Sequence, residues 1–104
     1  MAGAEDDAVM SRFVADYLAL LNQRVLTIQA QLHVGNEVTA QIAMLSLEST
    51  STMVGAGDMA DSVGALRTAL ETGDRDHLAE LSRAMVAESL RVPGLLGAPS
   101  RGLG

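Results

Sequence analysis

Lysine, cysteine and tryptophan are missing from this 104-residue chain, and Phe13 and Tyr17 are its only aromatic residues. Without cysteine there is no disulfide, no thiol nucleophile and no thiolate metal ligand, and no redox compartment can be read from thiol usage. With so few aromatics, a core must be filled by Leu, Val, Ile, Met and Ala, which suits packed helices. The lack of lysine leaves seven arginines against thirteen acidic residues, a net charge of −6. An acidic chain with no basic stripe argues against nucleic acid or an anionic membrane as the main partner. No apolar run approaches the ~20 residues of a membrane span. The N-terminus, MAGAEDDAVM, is acidic, unlike a secretory signal, so the cytoplasm is the default compartment. What is present is a hydrophobic content of 48 %, enough for one core and too little for two.

The apolar residues recur with helical spacing. Phe13, Tyr17, Leu20, Leu21, Arg24, Val25, Ile28 and Leu32 step by threes and fours, which predicts an amphipathic helix of about six turns ending at Gly35. Asn36 is a suitable N-cap for a second helix, with Glu37 in its first turn and Val38, Ile42, Met44 and Leu45 opening its pattern. That helix runs into four consecutive hydroxyl residues, Ser49 to Thr52, then Gly55-Ala56-Gly57. Asp58 is the expected cap of a third helix with the stripe Met59, Val63, Leu66 and Leu70. Gly73 ends it, and Asp74 is the expected cap of a fourth, carrying Leu78, Leu81, Met85 and Val86 to about Leu90. Pro93 then forbids much extension. No segment alternates with period two, and there is no internal repeat. The expected fold is all-α, an antiparallel up-down-up-down four-helix bundle. Residues 1–10 are expected as a frayed end or short lead-in helix, 11–92 as the bundle, and 93–104 as a flexible Gly/Pro-rich tail.

Motifs for chemistry are sparse. HExxH, CxxC, a phosphate-binding glycine loop and a nucleophile elbow are all absent, and no cofactor or metal site is expected. His33 reads as a helix C-terminal residue meeting the dipole. His77 and Glu80, at i and i+3, could share a face as metal ligands do, but a solvated helix start is the favoured reading. Arg24 interrupts an apolar stripe and reads as a snorkelling side chain. Met44 and Met53 read either as core or as an adaptable contact surface, forming an exposed apolar patch with Leu45.

The stretch LSLESTSTMVGA, Leu45 to Ala56, resembles the signature of bacterial histidine-containing phosphotransfer domains, which are antiparallel four-helix bundles. That signature runs approximately His-x-Leu-Lys-Gly-Ser-Ser, then a few residues, then a hydrophobic residue and Gly-Ala. Leu47 stands at its leucine, Thr50 and Ser51 at its small hydroxyl residues, and Val54-Gly55-Ala56 at its close. The segments FVADYLALLNQRVLTIQAQL before it and MADSVGALRTALETGD after it are similar to the flanking helices of the family, so the resemblance covers about Phe13 to Leu90.

Two departures change what the resemblance implies. The phosphoacceptor histidine falls on Leu45, and the lysine that offsets phosphoryl charge falls on Glu48. The small residue that leaves room for a partner is Ser49. The implied function is a non-enzymatic pseudo-phosphotransfer module of two-component signalling, binding a response-regulator receiver domain or another signalling protein through Leu45, Ser46, Glu48, Ser49 and Thr52. Alternatives are a phosphocarrier that uses the hydroxyl of Ser46 or Ser49, and a helical protein that self-associates. A hydroxyl tract that takes phosphate from a kinase ranks below the helix reading, because Leu45, Leu47, Met53 and Val54 bracket it too closely for a solvated linker.

Overall fold

The computed structural model describes the backbone of residues 2–96 and the side chains from Ala8 onward. Four helices follow one another: α1 (Ala2–His33), α2 (Glu37–Met53), α3 (Gly57–Thr72) and α4 (Leu78–Leu95). There is no strand among the described residues. The architecture is an all-α four-helix bundle.

Each connection is short because each of the first three helices ends in the same motif. Gly35, Gly55 and Gly73 have φ of 79°, 83° and 76°, a left-handed backbone that suits glycine. At the first turn Asn36 N–H donates to Gln31 O at 2.8 Å and Gly35 N–H to Leu32 O at 3.2 Å. The same pair of bonds recurs from Ala56 to Ser51 and Gly55 to Thr52, and from Asp74 to Ala69 and Gly73 to Leu70. This is the Schellman closure, which satisfies the last carbonyls of a helix and reverses the chain.

The reversals place neighbours antiparallel. Tyr17 of α1 bonds Ser51 of α2, while Arg24 bonds Ser46, so one helix climbs as the other descends. Glu48 meets Arg67 while Glu37 meets Arg75, which gives the same relation between α2 and the α3 side. Gln29 reaches Ser82, while Leu18 and Leu21 lie by Ser89 and Pro93. Each helix packs on two others, and the diagonal pairs α1–α3 and α2–α4 bring no Cα atoms within 8 Å among the described residues. The centre holds Ile28, Met44, Leu47, Met59, Val63, Leu66 and Met85, all fully buried.

Several local expectations are corrected. Helix α1 runs unbroken from Ala2, with no boundary near residue 10. Its 32 residues correspond to roughly 48 Å, about twice the length of α2 or α3. Val9 and Met10 are exposed where α1 has outrun its neighbours. The N-cap of α3 is Ala56 rather than Asp58, which falls in the first turn. Asp74 does not cap α4; the helix begins at Leu78 after His77, whose ring bonds the Asp74 carboxylate. Asn36 does occupy the N-cap of α2, but its side chain bonds no backbone N–H and instead accepts from Thr39. Pro93 lies inside the last turn of α4, where its missing N–H removes a single helical bond, and the helix continues two residues to Leu95. The expected tail lies outside the described residues from 97 onward.

Candidate functional site

The hydroxyl run does not break α2, because three of its four members find partners that a helix can supply. Thr50 Oγ1 donates to the carbonyl of Ser46 at 3.0 Å, and Thr52 Oγ1 to that of Glu48 at 3.0 Å. Such back-bonding to the i−4 carbonyl satisfies the hydroxyl within the helix, at a small cost to helix stability. Ser51 faces inward, fully buried, and shares a 2.7 Å hydrogen bond with Tyr17 Oη. Burial pushes the Tyr17 phenol up from 10.0, against the opposing effects of Ser51 and the Arg24 charge. Ser49 is exposed and makes no side-chain hydrogen bond among the described residues.

All five residues suggested by the sequence lie on α2, but they do not form a single outward patch. Leu45 is 48 % exposed, and Ser46, Ser49 and Thr52 are exposed with it. Residues four apart stack on one helix face, so Leu45 and Ser49 share one. Glu48 is drawn away. Arg67 of α3 donates from Nε to its Oε1 at 2.9 Å and from Nη2 to its Oε2 at 3.3 Å. The same guanidinium reaches Glu71 at 3.1 Å. These two carboxylates hold Arg67 above its usual pKa, with the Glu48 bond the larger cause. Glu48 lies over Gly64 of α3; a Cβ added there would sit 2.9 Å from Glu48 Oε2. The missing side chain at Gly64 is what lets the carboxylate lie flat across the α2–α3 seam.

On the other flank of α2, Arg24 Nη1 donates to Ser46 Oγ at 3.0 Å. Arg24 lies beside a shallow cleft of about 330 Å³ that Leu20 and Ile42 also line. It has no carboxylate partner among the described residues. The sequence marks Arg24 as an interruption of a stripe; its role as the donor to Ser46 depends on helix pairing and has no local signal. Arg67 is likewise invisible in sequence, apart from its i, i+4 relation to Glu71.

The methionine expectation divides. Met53 is 62 % exposed, but Met44 is fully buried and belongs to the core, not to a contact patch with Leu45. Adjacent helix positions are turned by about 100° and positions two apart by about 200°, which is why Met44 separates from Leu45 and from Ile42. The exposed apolar residues of α2 are instead Val38, Ile42, Leu45 and Met53.

His33 is exposed in the last turn of α1, and His77 pairs with Asp74 at 2.8 Å rather than with Glu80. Among the described residues no three His, Asp or Glu side chains gather as a metal site would require. Among the described residues no helix is long and apolar enough to cross a membrane. No protein-family model, no curated protein and no solved structure matches the chain.

Proposed function

We propose that the outward face of α2, centred on Leu45, is a docking surface for a response-regulator receiver domain, and that the chain is a pseudo-phosphotransfer module of two-component signalling in the cytoplasm. The observation that carries this reading is the exposure of Leu45 together with Ser46 and Ser49. The face keeps the small side chains that admit a partner, while its exposed centre holds a leucine that cannot accept a phosphoryl group.

The module binds and does not catalyse. A hydroxyl nucleophile needs an adjacent base. Ser46 Oγ is instead bonded to a guanidinium, and Ser49 has no carboxylate or imidazole in hydrogen-bond reach among the described residues. Glu48 contributes no charge relay: its carboxylate is turned to Arg67, and its negative charge is of the wrong sign to hold phosphate.

The test is affinity measurement against a panel of receiver domains from the same cell, using the wild type, Leu45→Arg and Ser49→Arg. The expected result is binding by at least one receiver that both substitutions reduce at least about tenfold, roughly 1.4 kcal/mol. Binding that neither substitution changes, or no binding to any receiver, ends the reading.

A further inference from the structure

Helix α2 carries two apolar faces on opposite sides. Ala40, Met44, Leu47 and Ser51 face the bundle and are fully buried. Val38, Ile42, Leu45, Ser49 and Met53 form a second row, with Val38 at 71 % exposure, Ile42 at 63 % and Met53 at 62 %. Each member of the second row lies two residues from a member of the first, a rotation of about 200° at 3.6 residues per turn. A helix that is apolar on opposite sides is one buried from both. The bundle covers only one.

Three features favour a second copy of this chain as the cover. The first is charge. The only ionised side chains of α2 are Glu37 and Glu48, and both are drawn sideways, to Arg75 at 2.6 Å and Arg67 at 2.9 Å. The outer row itself holds no ionisable group. In a chain of net charge −6 this face can meet its own copy without like charges opposed.

The second feature is size. The first half of the row is bulky, Val38 and Ile42; beyond Leu45, Ser49 is small, with the small Ser46 and Thr52 beside it, and the bulky Met53 closes the row. A two-fold axis beside Leu45 sets Ile42 of each copy against Ser49 of the other, and Val38 against Met53. Ile42 then enters the hollow left by Ser49 and the two ends meet as apolar pairs, so the patch is its own complement, as an isologous interface requires. The four-three-four spacing from Val38 to Ser49 matches the seam along which two helices pack.

The third feature is extent. A standard interface buries roughly 800 Å² per partner. Four large exposed side chains along about four turns of α2, with Leu20 (41 % exposed) beside Ile42, supply the apolar centre of a patch of that class.

We propose that two copies of this chain associate through α2, antiparallel, with Leu45 beside the two-fold axis. The dimer covers Ser46 and Ser49, so it is the closed form of the docking face. Only that regulatory consequence rests on the receiver reading; the self-association does not.

The absence of cysteine makes cross-linking a clean test, because an introduced thiol is the only one present. Under mild oxidation, Leu45→Cys forms a covalent dimer with itself. Ile42→Cys and Ser49→Cys remain largely monomeric alone and form a mixed dimer when combined. In sedimentation, the wild type doubles in mass as concentration rises, while Ile42→Arg stays monomeric over the same range with unchanged helical circular dichroism. The proposal is overturned if the wild type is monomeric at its highest soluble concentration, or if Ile42→Cys cross-links with itself while Leu45→Cys does not. A dimer that binds no receiver ends the docking reading alone, and a monomer that binds one ends the dimer alone.

Discussion

Arg67 holds Glu48 flat across the seam between α3 and α2, at 2.9 Å, over a glycine, Gly64, that leaves the space for it. The resemblance to phosphotransfer domains assigns this α2 position to a cation; Glu48 puts an anion there, and that anion is tied down. What remains facing outward on α2 is uncharged.

This seat makes Gly64→Ala informative. An alanine in mid-helix gains about 1 kcal/mol over glycine. The added Cβ displaces the Glu48 carboxylate, and a partly exposed ion pair of this kind contributes at most about 1 kcal/mol. The expected net change in denaturant unfolding is near zero in the wild type. In a Glu48→Ala background, where nothing is displaced, the full gain appears.

The two methionines of α2 separate core from surface. Met44→Ala removes a fully buried side chain and is expected to cost about 2–5 kcal/mol. Met53→Ala, at an exposed position, is expected to stay within about 0.5 kcal/mol. Unfolding midpoints of the two variants check the assignment; equal losses would contradict it.

Helix number, order and termini at glycine are legible in the sequence because they rest on local chemistry: apolar spacing and the positive φ that Gly35 and Gly73 supply. The exposed position of Leu45 is not fixed by that spacing, which sets Leu45 in one apolar pattern with Val38, Ile42 and Met44; the burial of Met44 and Leu47 against the other helices puts it outside. The caps are less legible. Asp58 and Asp74 are good N-cap residues by type, but Schellman closures fix where the chain re-enters a helix, and these start α3 earlier than Asp58 and leave Asp74 to bond His77. The partners of Glu48, Ser46 and Ser51 lie 19 to 34 residues away, on other helices, and no local pattern specifies them.

The Tyr17–Ser51 bond is the one buried side-chain pair in the bundle among the described residues, and its members are expected to be coupled. Ser51→Ala leaves the buried phenol without its partner, a loss of about 1–3 kcal/mol. Tyr17→Phe costs about 1 kcal/mol. The double variant is expected to lose less than the sum, and strict additivity in a double-mutant cycle would contradict the pairing.

His77 is held above its ordinary value of 6.5, first by its hydrogen bond to Asp74 and then by that carboxylate's charge. The folded chain therefore binds the proton more tightly than the unfolded one. The stabilisation is present in full below the unfolded pKa and is lost as pH rises through the higher folded value. Asp74→Asn is expected to lower the His77 titration midpoint seen by NMR. The stability gap between wild type and this variant is expected to close on the alkaline side of that window.

The central claim is that the Leu45 face of α2 docks a receiver, and the most direct measurement is an NMR titration of the isotope-labelled chain against receiver domains of the same cell. One receiver is expected to shift the amides of Leu45, Ser46, Ser49 and Thr52 selectively, and Leu45→Arg to abolish those shifts without altering the rest of the spectrum. Shifts confined to another face of the bundle, or none with any receiver, would contradict it.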